Sequence, residues 1–292
     1  MAASQPLQEP QAEVSWTSGS IDVGSFNIKF IKSIPPSSNL PVFVFLHGLT
    51  DCGPVFLPSL TALAGSYEIF LPDARGHGAC DPIPDGTFTM TNLVQDAANA
   101  IKCFSPGQPV LLGGHSMGAA TAARVAKLFP DLVRAVALEE PPWLRCEGEP
   151  VPPPSADNGR FNPLGSAEKI QAMSPEEFAV HDESSAAPLP PFACTKAQAQ
   201  RKLQLQKLKP GFDAVDDIIN EAVNGITVPA LLQLGGPPRG HCKVEVAQAT
   251  VATWPRGKSS QWDDAGHGLH HQKEKWEAEV HQFFQSVLSQ QP

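Results

Sequence analysis

A serine set between glycines is the first place in this chain where covalent chemistry can be read. Residues 114–118 run Gly114, His115, Ser116, Met117, Gly118. An apolar run, Val110, Leu111 and Leu112, precedes them, and an alanine-rich stretch follows as far as Lys127. That order predicts a strand, a sharp turn and a helix. A serine at such a turn is held in a strained backbone with its hydroxyl pushed out at the end of the sheet. Gly114 and Gly118 are needed there because side chains would collide with the adjoining strand and helix. The chemistry is attack of the hydroxyl on an acyl carbon. The amide of Met117 lies at the helix N-terminus, where donors and dipole both favour a developing anion. A serine hydroxyl is a poor nucleophile at neutral pH, so it needs a base in contact, and histidine is the side chain whose ordinary pKa suits that task. The chain has nine histidines to choose from.

The elements that must position these groups follow from the hydrophobic pattern. Ile21, Val23, Phe26, Ile28 and Phe30 alternate around Gly24 and Ser25, which predicts a hairpin at a sheet edge, followed by a loop at 35–39. Val42 to Leu46 is an unbroken apolar run, as expected of a parallel strand covered on both faces, and it ends in His47, Gly48 and Leu49. A short helix carrying Leu57, Leu60 and Leu63 comes next, then a strand from Glu68 to Leu71 that leads into Asp73, Arg75 and His77. A helix is expected from Met90 to Phe104, capped by Thr89 or Thr91, with Asp96 packing or capping on it. Leu132 to Leu138 reads as a buried strand that delivers Glu139 and Glu140. Composition then shifts, with 11 of the 30 prolines between 141 and 191 and few strand signals. Helices are expected at 166–173, 174–182 and 196–208; the charges on the last read as its wet face. A strand at 226–234, a helix at 244–251, a strand at 259–262 and an amphipathic helix bearing Trp276, Val280, Phe283, Phe284 and Val287 complete the chain. Strands alternating with helices predict an α/β fold with a mostly parallel sheet flanked by helices.

The serine turn in this setting, His47-Gly48 directly after a central strand, and the loop from Asp73 to Gly78 together resemble the α/β-hydrolase family. The resemblance covers nearly the whole chain, from about Ser20 to about Ser289. The serine- and glutamine-rich start is expected to be a flexible tail at 1–18, and the resemblance implies an α/β-hydrolase core at 19–142 and 225–292 with a helical lid inserted at 143–224. It also implies that the amide of Leu49 is the second oxyanion donor beside that of Met117, that His47 is a structural loop histidine, and that Asp73, Arg75 and His77 pin their loop by hydrogen bonds. The family's chain order of serine, acid, histidine places the base at His267, between Gly266 and Gly268; His270 and His271 begin the terminal helix and are expected at the surface. The acid departs from the pattern. Where the family usually has an aspartate after the seventh strand, this chain has Gly235-Gly236-Pro237, and the next acid downstream is Glu245. Either the base lacks an acid partner or the acid has moved. The end of the sixth strand is an alternative location known within the fold, and Glu139 and Glu140 stand there. Successive strand residues point to opposite sides, so only one of them can reach His267. Glu140, nearer the tip and followed by a proline pair, is the preferred acid, with Glu139 and Glu245 as alternatives.

The bulk properties bound the partners. A net charge of −9, spread along the chain, argues against nucleic acid. Six cysteines without metal-ligand spacing are expected to be reduced thiols. The first sixteen residues lack a secretory leader pattern, no apolar run is long enough to span a bilayer, and the expectation is a cytoplasmic protein. No metal or organic cofactor is implied, and the pattern leaves oligomeric state open. The leading functional expectation is a serine hydrolase that cleaves an ester, thioester or lactone of a small apolar molecule through an acyl-enzyme, in a specialised pathway or otherwise. A serine at the elbow disfavours the epoxide-hydrolase and dehalogenase branches, which look for aspartate there. The absence of a seventh-strand acid keeps open a carbon–carbon hydrolase, lyase or cyclase in the same pocket, and a ligand-binding protein without turnover.

Overall fold

The computed structural model describes residues 14–24, 26–34, 39–150, 163–183, 189–237 and 239–290. The loop expected at 35–39, apart from Asn39, and the first thirteen residues of the expected tail lie outside them. A hairpin opens the described chain. Its strands β1 (Ser15–Asp22) and β2 (Asn27–Ile34) pair antiparallel, from Ser15 opposite Ile34 to Asp22 opposite Asn27. Ordered strand therefore begins at Ser15, inside the segment expected to be a tail. Six further strands are mutually parallel: β3 (Val42–Leu46), β4 (Glu68–Pro72), β5 (Val110–His115), β6 (Val133–Glu139), β7 (Ala230–Gly235) and β8 (Gly257–Trp262). All eight form one sheet in the order β1-β2-β4-β3-β5-β6-β7-β8.

Period-two alternation along the strands sends side chains to two cores. On one face Val44, Leu112 and Val136 pack against α2 (Met90–Phe104), α3 (Met117–Leu128) and α8 (Val244–Val251). On the other, Phe43, Phe45 and Leu111 meet α1 (Leu57–Leu60) and α9 (Lys273–Leu288), with Phe43 edge-on to Phe284 at 5.0 Å between ring centres. Burial of each such side chain contributes about 1.5–3 kcal/mol before chain entropy is counted. The cap of α2 is Thr89, whose hydroxyl accepts from the Asn92 amide.

Between β6 and β7 lie α4 (Pro163–Ala172), α5 (Pro175–Glu183), α6 (Lys196–Lys202) and α7 (Leu205–Ile219). The single helix expected at 196–208 is thus broken. Leu203 turns extended, with ψ 131°, and Gln204 is held by the core: its amide donates to Gly76 O at 2.9 Å, and its side-chain carbonyl accepts from the Ile83 amide at 3.0 Å. Tertiary hydrogen bonds override helix propensity at that residue. The seventh strand also starts later than its apolar run. Pro229 has no N–H to donate, and ladder pairing begins at Ala230.

Candidate active site

The turn from β5 into α3 holds Ser116 at φ 54°, ψ −119°. A non-glycine residue there is strained, at a cost on the order of 1–3 kcal/mol. The turn is possible because its neighbours lack side chains. A Cβ on Gly114 would stand 2.5 Å from the Gly118 carbonyl carbon, and one on Gly118 would stand 2.1 Å from Leu46 O. The Ser116 amide donates to Glu139 O at 3.0 Å, which ties the turn to β6. Its hydroxyl has no hydrogen-bond partner among the described residues. Met117 is the first residue of α3, so its amide lacks an intrahelical acceptor.

Residues 47–53 face this turn. His47 Nδ1–H donates to Gly48 O at 2.7 Å, and Nε2 accepts from the Ala74 amide at 2.8 Å. Both roles require neutral imidazole, and burial together with the neighbouring His77 lowers the His47 pKa to about 3. His77 faces two carbonyls, with Nε2 2.6 Å from Leu49 O and Nδ1 2.8 Å from Arg75 O. The Leu49 amide donates no hydrogen bond among the described residues, so the loop holds an N–H available. Asp73 pins the far side, accepting from the Gly53 and Ala79 amides at 2.9 and 2.8 Å, and burial pushes its pKa up to about 6. Arg75 grips Asp96 with two bonds of 2.6 and 2.7 Å, so Asp96 is an ion-pair partner and not a helix cap. A cavity of about 30 Å³ behind this loop, lined by Leu46, Arg75, Met117 and Thr121, has room for little more than water.

At the end of β6 the chain makes a second strained residue, Glu140, with φ 47°. Its fully buried carboxylate receives the Gly235 amide at 2.7 Å, the His241 amide at 2.6 Å and the Cys242 amide at 3.4 Å. The remaining donor is His267 Nδ1 at 3.2 Å. Because a carboxylate accepts, Nδ1 carries the proton and Nε2 keeps a free lone pair. The glycines of the β7 turn make this possible. Gly235 supplies an amide where an aspartate turn would supply an acid, and a Cβ on Gly240 would stand 3.1 Å from Glu140 Oε1. The His241 ring stacks on His267 at 3.8 Å between centres and 24° between planes; burial and His267 lower the His241 pKa to about 4. Glu245 is exposed in the first turn of α8, and Glu140 occupies the position beside His267.

Glu139, one residue earlier, points to the opposite face. Its Oε1 accepts from the His270 amide at 3.0 Å and from His270 Nδ1 at 2.7 Å. His270 is therefore buried and paired, not on the surface. The run His267 to His271 carried too little pattern to show this; the paired acids at 139 and 140 were the available signal. Between the two pairs lies His115, whose Nε2–H donates to His267 O at 2.9 Å and so fastens the His267 loop to the serine turn. Burial holds His115 well below its ordinary pKa, aided by His267 and His270. His115, Glu139 and His270 each bring a potential metal-ligand atom within 4.8 Å of the others, but Glu139 Oε1 is already committed to His270.

At one end of the sheet, then, stand a strained serine, two available amides, and an imidazole whose inner nitrogen is held by a buried carboxylate. Such a set can move a proton off a hydroxyl and stabilise an oxyanion. A sequence profile of the alpha/beta hydrolase fold matches residues 41–179. The chain is 30% identical over 128 residues to 2-(acetamidomethylene)succinate hydrolase of Mesorhizobium japonicum, a match that covers 44% of each chain, less than half of that relative's length. Among solved structures, the enol-lactonase of Burkholderia xenovorans superposes with TM-score 0.65 at 18% identity, covering 91% of this chain and 100% of the other. A thermophilic esterase of Thermogutta terrifontis does so with TM-score 0.63 at 18% identity, covering 93% and 99%. At these identities the likeness is one of fold. Among the described residues, no helix is long and apolar enough to cross a membrane.

Proposed function

We propose, from the premise that this chain belongs to the α/β-hydrolase fold family, that it is a serine hydrolase working through an acyl-enzyme. Ser116 Oγ attacks the acyl carbon as His267 Nε2 takes its proton. The amides of Leu49 and Met117 hold the oxyanion, each such donor being worth on the order of 10²–10³ in rate. Glu140 keeps the imidazole in the needed tautomer and stabilises the imidazolium. The proton then passes to the leaving group, and a water activated by His267 releases the acyl group. The observation that carries this reading is the coincidence of two strained non-glycine residues, Ser116 and Glu140, at the ends of adjacent strands, with His267 bonded to the second. Strain of this kind persists where the surroundings over-determine it, and it clusters at active sites.

The substrate class is a small, largely apolar ester, thioester or lactone. The relative named for an acetamido compound extends the candidate scissile bonds to a small amide by the same mechanism. Residues 143–224 act as the lid that selects among them, and the protein works in the cytoplasm. The test is pre-steady-state hydrolysis of p-nitrophenyl acetate with mass mapping of the quenched protein. The expected result is a burst of one nitrophenol per chain and an acetyl adduct on Ser116. Steady turnover without a burst or adduct, unchanged by Ser116→Ala, contradicts the mechanism.

A further inference from the structure

The inserted segment touches the loop at 47–53 through two side-chain contacts that the proposed hydrolysis does not use. Lys196 Nζ, at the start of α6, lies 3.0 Å from the buried Asp51 carboxylate. One residue further along the core loop, Cys52 Sγ lies 3.3 Å from Cys194 Sγ. Both are free thiols, 142 residues apart in the chain. A disulfide needs about 2.05 Å between sulfurs, so closing the gap takes about an ångström of movement.

We infer that Cys52 and Cys194 form a site of reversible oxidative cross-linking, and that peroxide ties the inserted segment to the loop bearing Leu49 and slows turnover. The turnover clause rests on the hydrolase reading; the cross-link does not. The two thiols divide the chemistry unequally. Cys52 is buried, and its contact with Cys194 Sγ together with burial pushes its pKa up. The same contact, helped by the charge of Lys202, holds Cys194 below the ordinary thiol value, and Cys194 is partly exposed. Cys194 is therefore the nucleophile. Its thiolate attacks one oxygen of hydrogen peroxide, giving a sulfenic acid and, with one proton, water. Cys52 sulfur then attacks the sulfenic sulfur, and its proton leaves with the hydroxyl as a second water. Two thiols and one hydrogen peroxide become one disulfide and two waters. The link joins Cys52, three residues after Leu49, to Cys194, two residues before Lys196, across the contact the inserted segment must open if it gates the site.

The experiment treats the full-length protein with a few equivalents of hydrogen peroxide, blocks remaining thiols and maps peptides without reductant. The expected product is a Cys52–Cys194 linked peptide, two hydrogens lighter than its parts, lost on dithiothreitol and absent in Cys194→Ser. Exposed Cys103 serves as the internal comparison. Oxidation of Cys194 to sulfinic acid without a link, or reaction confined to Cys103, overturns the cross-link. In parallel, kcat/KM on an acyl ester is expected to fall at least fivefold on linking and to recover with dithiothreitol, while Cys194→Ser keeps basal turnover and loses the sensitivity. A formed link with unchanged turnover overturns the gating clause. A parent protein without any turnover speaks against the hydrolase reading and leaves the peptide map to decide the link.

Discussion

Two carboxylate–imidazole pairs stand side by side at the end of β6, and their difference separates a structural tie from the proposed working site. Glu139 and His270 meet at 2.7 Å, with the rings of Phe56, His115 and His271 4.7, 5.0 and 4.4 Å from that of His270. The His270 side chain is 9% exposed. Glu140 and His267 meet at a longer 3.2 Å, and the His267 side chain is 24% exposed. The tighter pair sits on regular strand and is sealed. The looser pair sits on a strained residue, has three backbone amides holding its carboxylate, and leaves the outer imidazole nitrogen available. Residue types are identical in both. Backbone strain and exposure, not the pairing itself, mark the pair that can do chemistry.

Substitutions can break that comparison. The largest contrast is expected between His267→Ala and His270→Ala. By precedent for the base of a serine triad, the first should lower kcat for an activated ester by about 10⁵–10⁶, with little change in Tm. The second should leave kcat within tenfold and lower Tm instead. Equal losses of activity in both variants would erase the distinction. Next come the acids. Glu140→Gln should lower kcat by roughly 10³–10⁴. Glu139→Gln should cost less than tenfold in rate and roughly 2–5 °C in Tm, from the unsatisfied donor it leaves. A steady-state assay with calorimetry on the same preparations reads both.

A third expectation concerns acid stability and sharpens the view of the loops behind the site. His47, His77 and His115 are buried with depressed pKa values. Unfolded, each binds a proton below about 6.5; folded, each resists it. Stability is therefore intact above pH 6.5 and is lost as pH falls, with the His47 contribution running from 6.5 down to about 3. The slope is about 1.4 kcal/mol per pH unit for each such histidine. Asp73, raised to about 6, acts in the opposite sense between its ordinary value and 6, because its folded form binds the extra proton. Chemical denaturation from pH 7 to 5 should show stability falling, and His47→Asn should flatten that fall. A stability that is level over this range would contradict the depressed pKa values of the three imidazoles.

How much of this was legible in the sequence depends on the range over which each feature is determined. The serine turn is local: Gly114 and Gly118 are required by collisions within a few residues and with the end of β3, so five letters and their flanks were enough. The parallel strands were legible because Val42 to Leu46 and Val110 to Leu112 are apolar without a break. The acid is less legible: Glu140 is preferred over Glu139 and Glu245 only by its place at the strand tip, because the contact that distinguishes them spans 127 residues and depends on a positive φ at Glu140. The break between α6 and α7 was invisible, since hydrogen bonds from Gln204 to the loop at 76–83 impose it against local helix propensity. His270 reads as a surface residue because nothing beside it in sequence announces its partner, Glu139.

The central claim is that Glu140 and His267 activate Ser116. The direct measurement is labelling by a fluorophosphonate probe, with the modified peptide mapped in the parent and in folded Ser116→Ala, His267→Ala, Glu140→Gln, Glu139→Gln and His270→Ala proteins. The account predicts modification of Ser116 in the parent, loss in Ser116→Ala and His267→Ala, slowing in Glu140→Gln, and near-parent rates in the last two. A folded parent that does not label, or labelling that depends on Glu139 and His270 instead, would contradict it.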